Sequence, residues 1–181
     1  MSMSALVTLA AHWLLAAVFA QALDHKITAF SRFAAVFSAW RVVPQQATRG
    51  VAVGVGTAEF ITVITNLLAF RIGLLLAALM LLAYAIGMQI NRRRGRSFID
   101  CGCGDEPVPL TAGLLIRNGV LVLLAGIAMQ LVTPAQAFAL LSWTQVLQCL
   151  AAAAGAFGIY RCVELLLANA VRFRQSGYSA A

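Results

Sequence analysis

The stretch GLLLAALMLLAYAIGMQI (73–90) followed by NRRRGRSFIDCGCG (91–104) decides the fold class. Its first part carries no charged side chain and is long enough to cross a bilayer, since a helix needs about 20 mostly apolar residues to span roughly 30 Å of hydrocarbon. Its second part packs four arginines, an aspartate and two cysteines into 14 residues. A membrane helix ending in a wet, basic loop is the direct reading. The rest of the chain repeats the theme: 62% of the 181 residues are hydrophobic, 10% are charged, and mean hydropathy is +0.89. No soluble domain of this size needs so much continuous apolar surface. In lipid, where nothing else satisfies backbone polar groups, long apolar runs fold as helices.

Working outward, further spans are expected at residues 5–23, 51–70, 114–132 and 135–160, with 73–90 as the third of five. The first begins without the positive flank of a cleaved leader, which argues against a signal peptide. Only Arg71 and Ile72 separate the second and third spans, so these two must form a hairpin with almost no loop. Thr133 and Pro134 separate the last two. Residues 24–50 are mixed: Ile27, Phe30, Phe33, Phe37 and Trp40 recur at intervals of three and four, with Lys26, Arg32 and Arg41 among them. That pattern predicts an amphipathic helix lying in the membrane interface until Pro44 stops it. The expected fold is therefore all-α: one polytopic membrane domain over 1–181, with about five transmembrane helices and an interfacial helix.

The formal net charge of +7 is unevenly placed. Lys26, Arg32, Arg41 and Arg49 follow the first span, and only Arg71 follows the second. Arg92, Arg93, Arg94 and Arg96 follow the third, with Arg117 opening the fourth. None follows the fourth, while Arg161, Arg172 and Arg174 follow the fifth. Lys and Arg collect on the cytoplasmic side. The alternation places the N-terminus outside, the 91–113 loop on the cytoplasmic side, and the C-terminus inside. Charges flanking membrane spans match anionic lipid headgroups better than nucleic acid, which requires one basic water-facing surface.

Three kinds of polar group carry candidate chemistry. Glu59 lies within the second span, with Thr62 and Asn66 on its helical face, and an ionisable group at that depth is costly unless paired, protonated or functional. Gly50, Gly54 and Ala58 form a stripe suited to close helix contact. His12 reaches a similar depth in the first span; the two are expected to meet, either as a structural tie, as a proton-sharing pair, or as a site for a quinone-like carbonyl. Arg117 and Asn118 open the fourth span, with Asp100 or a loop cysteine as partners for the arginine. Arg161 and Glu164, three residues apart, read as surface partners.

The third kind is the thiols. Cys149, inside an apolar run, reads as a small filler. Cys101 and Cys103 differ: Gly102 frees the backbone so both sulfurs can turn to one side, and a disulfide across one residue is strained and easily reduced. Neighbouring arginines favour the reactive thiolate, while Asp100 opposes it. Cys162 is the better candidate for a third thiol, because Cys149 lies about 20 Å from it along a helix. That separation also argues against a tetrahedral zinc site, and no metal is expected.

Several of these elements together resemble one family: Asp24-His25-Lys26, Phe30, Phe33, Trp40-Arg41-Val42-Val43-Pro44, Glu59, Arg94-Gly95-Arg96, Asp100-Cys101-Gly102-Cys103-Gly104 and Arg117-Asn118. The chain resembles, over residues 5–133, the MauE branch of the DoxX-like membrane proteins, the methylamine utilisation proteins. It departs where Gly104-Asp105 stands in place of the family's frequent Phe-Gly. The resemblance implies a bacterial inner-membrane protein that assists maturation of the disulfide-rich small subunit of methylamine dehydrogenase, alongside a thioredoxin-like redox partner. It implies Cys101 and Cys103 as the redox pair, with Glu59 and Arg117 as supporting groups. Two other readings stand beside it: a non-catalytic scaffold for a maturation complex, and a quinone-linked oxidoreductase using His12 and Glu59. A periplasmic client also sits uneasily with a thiol pair that the charge rule places in the cytoplasm.

Overall fold

The computed structural model describes residues 3–96, 110–131 and 141–178, and side chains to residue 170. It contains helices α1 (Met3–Thr28), α2 (Phe30–Ala39), α3 (Thr48–Leu67), α4 (Arg71–Arg93), α5 (Ala112–Gln130) and α6 (Trp143–Tyr178), with a short 3-10 turn at Gln45–Ala47. Five of these are long and apolar enough to cross a membrane. The protein is an all-helical polytopic bundle of the kind expected for a multi-span membrane protein.

Helix α1 is the central element. It packs on α3, α4, α5 and α6, and its apolar residues are distributed all round, as an enclosed helix requires. Leu9, Leu15 and Phe19 are fully enclosed. At 26 residues and about 1.5 Å per residue it is roughly 39 Å long, more than the roughly 30 Å of hydrocarbon. It continues to Thr28, through residues 24–28 that the sequence assigns to the mixed segment after the first span. The amphipathic helix, α2, is shorter than its sequence pattern suggests: it ends at Ala39, and Arg41 adopts φ 48° before Pro44 is reached. Phe33 and Trp40 turn inward, whereas Ile27 is exposed. Trp40 lies against α4 at Gly87, where even a β-carbon would approach its ring to 2.6 Å.

The hairpin between the second and third spans is formed by Leu68, Ala69 and Phe70 rather than by Arg71 and Ile72, because α3 unwinds three residues early and α4 already begins at Arg71. Ala69 N–H donates to Asn66 O and Phe70 N–H to Thr65 O, closing the helix with a left-handed residue, Ala69 at φ 51°. An alanine stands at this glycine-favouring position because its methyl is buried with Leu9 and Cys149. The end of α4 repeats the device with Gly95 at φ 72°: Gly95 N–H bonds Arg92 O and Arg96 N–H bonds Asn91 O. At the hairpin end of the bundle, Arg71 Nη2 donates to Met129 O at 2.7 Å, satisfying a carbonyl in the last turn of α5.

The stripe of small residues on α3 does not make a helix contact. Gly50 and Gly54 have nothing within 4 Å of a β-carbon position among the described residues, whereas one at Gly73 would come within 2.9 Å of the Asn66 backbone nitrogen and the Thr65 carbonyl carbon. Close approach is therefore made at the hairpin, where two backbones must pass. Replacing Gly73 by valine should lower stability by about 1–3 kcal/mol, the cost of overpacking, while Gly54→Val should be neutral. Thermal unfolding of the detergent-solubilised protein distinguishes the two.

Candidate functional site

Buried polar groups are gathered along α1. Toward the hairpin end, His12 and Asn66 are fully enclosed. Asn66 Nδ2 donates to Thr62 O at 2.8 Å and to Gly73 O at 2.9 Å. Both partners are acceptors, so the amide oxygen faces His12, and His12 Nδ1–H donates to it at 3.0 Å. The tautomer follows from this network. One side chain thereby ties α1, α3 and α4 together.

Glu59 does not meet His12. Its Oε1 accepts from Lys26 Nζ at 2.9 Å and from the Tyr84 hydroxyl at 2.5 Å, so the carboxylate joins α1, α3 and α4 in a second place. The lysine reaches it because a helical side chain points back toward its own N-terminus. Lys26 therefore descends from the end of α1 into the bundle rather than standing in the interface. Its ammonium also lies 5.0 Å from the centre of the Phe33 ring and 5.5 Å from that of Tyr84, contacts that favour a cation. The pairing of His12 with Glu59 expected from depth counting fails because α1 continues as helix to Thr28 and supplies the cation itself. The expected shared face of Glu59, Thr62 and Asn66 is present, and all three are enclosed.

A third cluster joins α1, α5 and α6. Glu164 accepts from Arg161 Nη1 at 2.7 Å, Arg117 Nη1 at 3.3 Å and Gln21 Nε2 at 3.0 Å. Arg117 also bonds Asn118 Oδ1 through Nε at 3.4 Å and Nη2 at 3.3 Å, and its guanidinium lies 5.0 Å from the Tyr160 ring centre. Arg161 and Glu164 do pair, but Glu164 is buried and so is no surface partner. The fifth membrane helix therefore runs on through residues read as its polar tail. Its candidate span is Trp143–Ala170, against the 135–160 expected from sequence.

That shift relocates the thiols. Cys149 is buried, its Sγ 3.6 Å from Leu6 O, among Leu9 and Ala69. It lies near the hairpin end of the bundle, not midway as a relay would. Cys162 is exposed on α6, two residues from Glu164, beside the cluster that contains Arg117. Cys101 and Cys103, with Asp100, lie outside the described residues. They belong to the segment joining α4 to α5, and so follow the helix that carries Tyr84 and precede the one that carries Arg117. Among the described residues no group of three or more His, Cys, Asp or Glu could hold a metal ion. Two grooves on the bundle, one between α5 and α6 and one beside Lys26 and Phe30, are lined by neither His12 nor Glu59. Each of those side chains is held by another side chain instead.

Sequence reasoning missed Lys26 and Tyr84 as partners of Glu59. A signal for Tyr84 was present: it shares an inward stripe on α4 with Ala77, Leu81, Met88 and Asn91, in steps of three and four. For Lys26 there was none, since its position at the end of an apolar run suits an ordinary flanking cation.

A family model described as methylamine utilisation protein MauE matches residues 3–132. The methylamine utilisation protein MauE of Paracoccus denitrificans is 35% identical over 116 residues, covering 61% of this chain and 62% of the relative. That of Paracoccus versutus is 32% identical over 130 residues, covering 63% and 66%. The match thus spans just under two thirds of either relative's length. No solved structure matches significantly.

The Lys26–Glu59 pair makes a quantitative expectation. Removing one member of a buried pair strands the other charge and costs about 3–5 kcal/mol, whereas removing both costs less. Glu59→Leu should therefore destabilise strongly, and Lys26→Met combined with Glu59→Leu should recover part of the loss. A double-mutant cycle on unfolding in detergent measures the coupling.

Proposed function

The chain belongs to the MauE family of methylamine utilisation proteins, and from that premise we propose that it is a membrane accessory of disulfide chemistry in the maturation of an exported enzyme. The client is the disulfide-rich small subunit of methylamine dehydrogenase, and the working partner is a thioredoxin-like protein. Both fit a pair of cysteines separated by one glycine in a basic segment. The protein is a bacterial multi-pass membrane protein. We assign it to the inner membrane, where spans are helical rather than the β-strands of outer-membrane barrels.

The observation that carries the proposal is Cys101-Gly102-Cys103 inside the family match, in the segment between α4 and α5. One thiolate attacks a sulfur of the partner's disulfide, forming a mixed disulfide and expelling the partner's other thiolate. The second cysteine then attacks the mixed disulfide, closing the Cys101–Cys103 bond and leaving the partner as a dithiol. Two electrons pass to the partner, and the reverse sequence returns them. Glu59 and Arg117 act as positioning residues in this reading: through Lys26, Tyr84 and Glu164 they hold together the helices that flank the segment.

The scaffold reading is favoured by one observation. Cys149 and Cys162 are separated by 13 positions of continuous helix, about 20 Å, too far for a bond. The described thiols therefore form no relay from one end of the bundle to the other. A single experiment separates the readings. Cys101→Ser and Cys103→Ser should each insert at near-normal levels and abolish client maturation. The variant lacking the resolving cysteine should accumulate a thiol-sensitive adduct with its partner on a non-reducing gel after acid quenching. Full maturation in both variants, with no adduct in either, leaves the scaffold.

Orientation decides which compartment supplies the partner. By the charge rule, cysteines placed at positions 94 and 176 should react with a membrane-impermeant reagent only after permeabilisation, and those at 2 and 133 in intact cells. Labelling of position 94 from outside would reverse the orientation and bring the thiol pair to the periplasmic client directly.

A further inference from the structure

The amphipathic helix α2 is held at both ends. Phe33, near its start, is buried beside the Lys26 ammonium, and Trp40, just past its end, is buried too. The Trp40 ring occupies a notch on α4 that only the missing side chain of Gly87 provides, since a β-carbon there would stand 2.6 Å from the ring. Trp40 also belongs to one buried cluster with Met88 of α4, Leu110, Leu114 of α5 and Ala168 of α6. The turn that leads out of α2 thus packs with three membrane helices.

The backbone adds a second tie. Arg41 takes φ 48°, a left-handed conformation uncommon for a residue with a β-carbon. Such strain persists where the surroundings over-determine it. Here they do so from two sides: the Trp40 ring is seated on Gly87, and the Arg41 carbonyl accepts from Arg94 Nη1 at 3.1 Å. Arg94 stands at the close of α4, where Gly95 has φ 72° and the Arg94 and Arg96 N–H groups both donate to Asn91 O.

Both ties sit at the roots of the thiol-bearing segment. Arg96 is the last described residue before Cys101 and Cys103, and Leu110 is the first after them. Trp40 and Arg41 hold the end of α4 on one side, and the Trp40 cluster holds Leu110 on the other. One turn of chain, distant in sequence from both roots, fixes where the segment leaves the bundle and where it returns. Fixing the ends of a chain removes conformational entropy that a ring closure within it otherwise has to remove.

We propose that Trp40 is a positioning residue for the Cys101–Cys103 pair: by holding both ends of the segment that bears them, it makes closure of their disulfide more favourable. This role rests on the thiol-exchange reading above, and Trp40 takes no part in its bond-making steps. In closure the two thiols give up two protons and two electrons as the S–S bond forms, and the electrons reduce a disulfide of the oxidant to two thiols.

Equilibrating the full chain in detergent with glutathione buffers of known ratio tests this, with glutathione disulfide as the oxidant. After acid quenching and alkylation, the tryptic fragment 97–117 contains Cys101 and Cys103 but neither Cys149 nor Cys162, so its mass reports the oxidised fraction of the pair. Trp40→Ala should lower the equilibrium constant for closure about fivefold, the low end for coupling between separate groups. Trp40→Phe, which keeps a ring on Gly87, should stay near wild type. Gly87→Ala, which displaces the ring from the opposite side, should reproduce the loss. Leu81→Ala opens a cavity in a separate core cluster, and should lower thermal stability without moving the equilibrium. An unchanged equilibrium in Trp40→Ala overturns the proposal and leaves the exchange reading in place. An equal loss in Leu81→Ala does the same, because the effect is then one of general loosening. Failure of the wild-type pair to close at any ratio overturns both. Should Trp40→Ala fail to fold, Gly87→Ala decides: a wild-type equilibrium there overturns the role of Trp40.

Discussion

A lysine ammonium held 2.9 Å from a glutamate carboxylate inside an apolar bundle is the constraint around which the rest is arranged. Neither charge is tolerable there alone, because the interior offers no water to solvate it. Their pairing demands that the end of α1, the middle of α3 and the inward face of α4 meet at one point. The hydroxyl of Tyr84 and the ring of Phe33 complete the environment, and Phe33 brings α2 down onto the bundle. The position of the amphipathic helix is thus coupled to the ion pair through the Phe33 ring beside the Lys26 ammonium.

The same logic recurs along α1. Asn66 joins His12 to the α3–α4 hairpin, and Glu164 joins Gln21 to Arg117 and Arg161. Lipid tails are as apolar as the side chains that pack the bundle, so apolar burial gives little reason for helices to associate in a membrane. Interhelical hydrogen bonds and close backbone approach supply what it does not. Here each of the three buried polar clusters includes a side chain of α1, and neighbours come closest at Gly73, against backbone, and at Gly87 and Gly113, against side chains. Helices α5 and α6, which share α1 but little direct contact, are where this scheme leaves space.

Placement of the thiols follows from the register of α6. Because Arg161 and Glu164 are satisfied within the bundle, the helix need not end where its charges begin. Its apolar stretch is set later in the chain, and Cys149 moves toward the hairpin end while Cys162 stays beside the Arg117 cluster. The family match covers the first four spans and ends before this helix, so α6 is also the part of the chain about which kinship says least.

The number of long apolar helices and the amphipathic character of residues 30–40 were both legible in the sequence. Each depends on local hydropathy and periodicity, and a membrane imposes helix on any apolar run of sufficient length. The enclosed face of Glu59, Thr62 and Asn66 was legible for the same reason: it is a property of one helix. Partnerships were not. Lys26 reads as an ordinary flanking cation until its stem is seen to run back toward Glu59. Glu164 reads as a surface acid until Arg117 arrives from another helix, and Gly54 reads as a contact residue that in fact faces outward. Which polar groups meet depends on the rotation and sliding of helices against each other over long sequence separations. Only the tertiary structure decides those, because the free energy of a buried charge is set by what stands beside it and not by the residue itself.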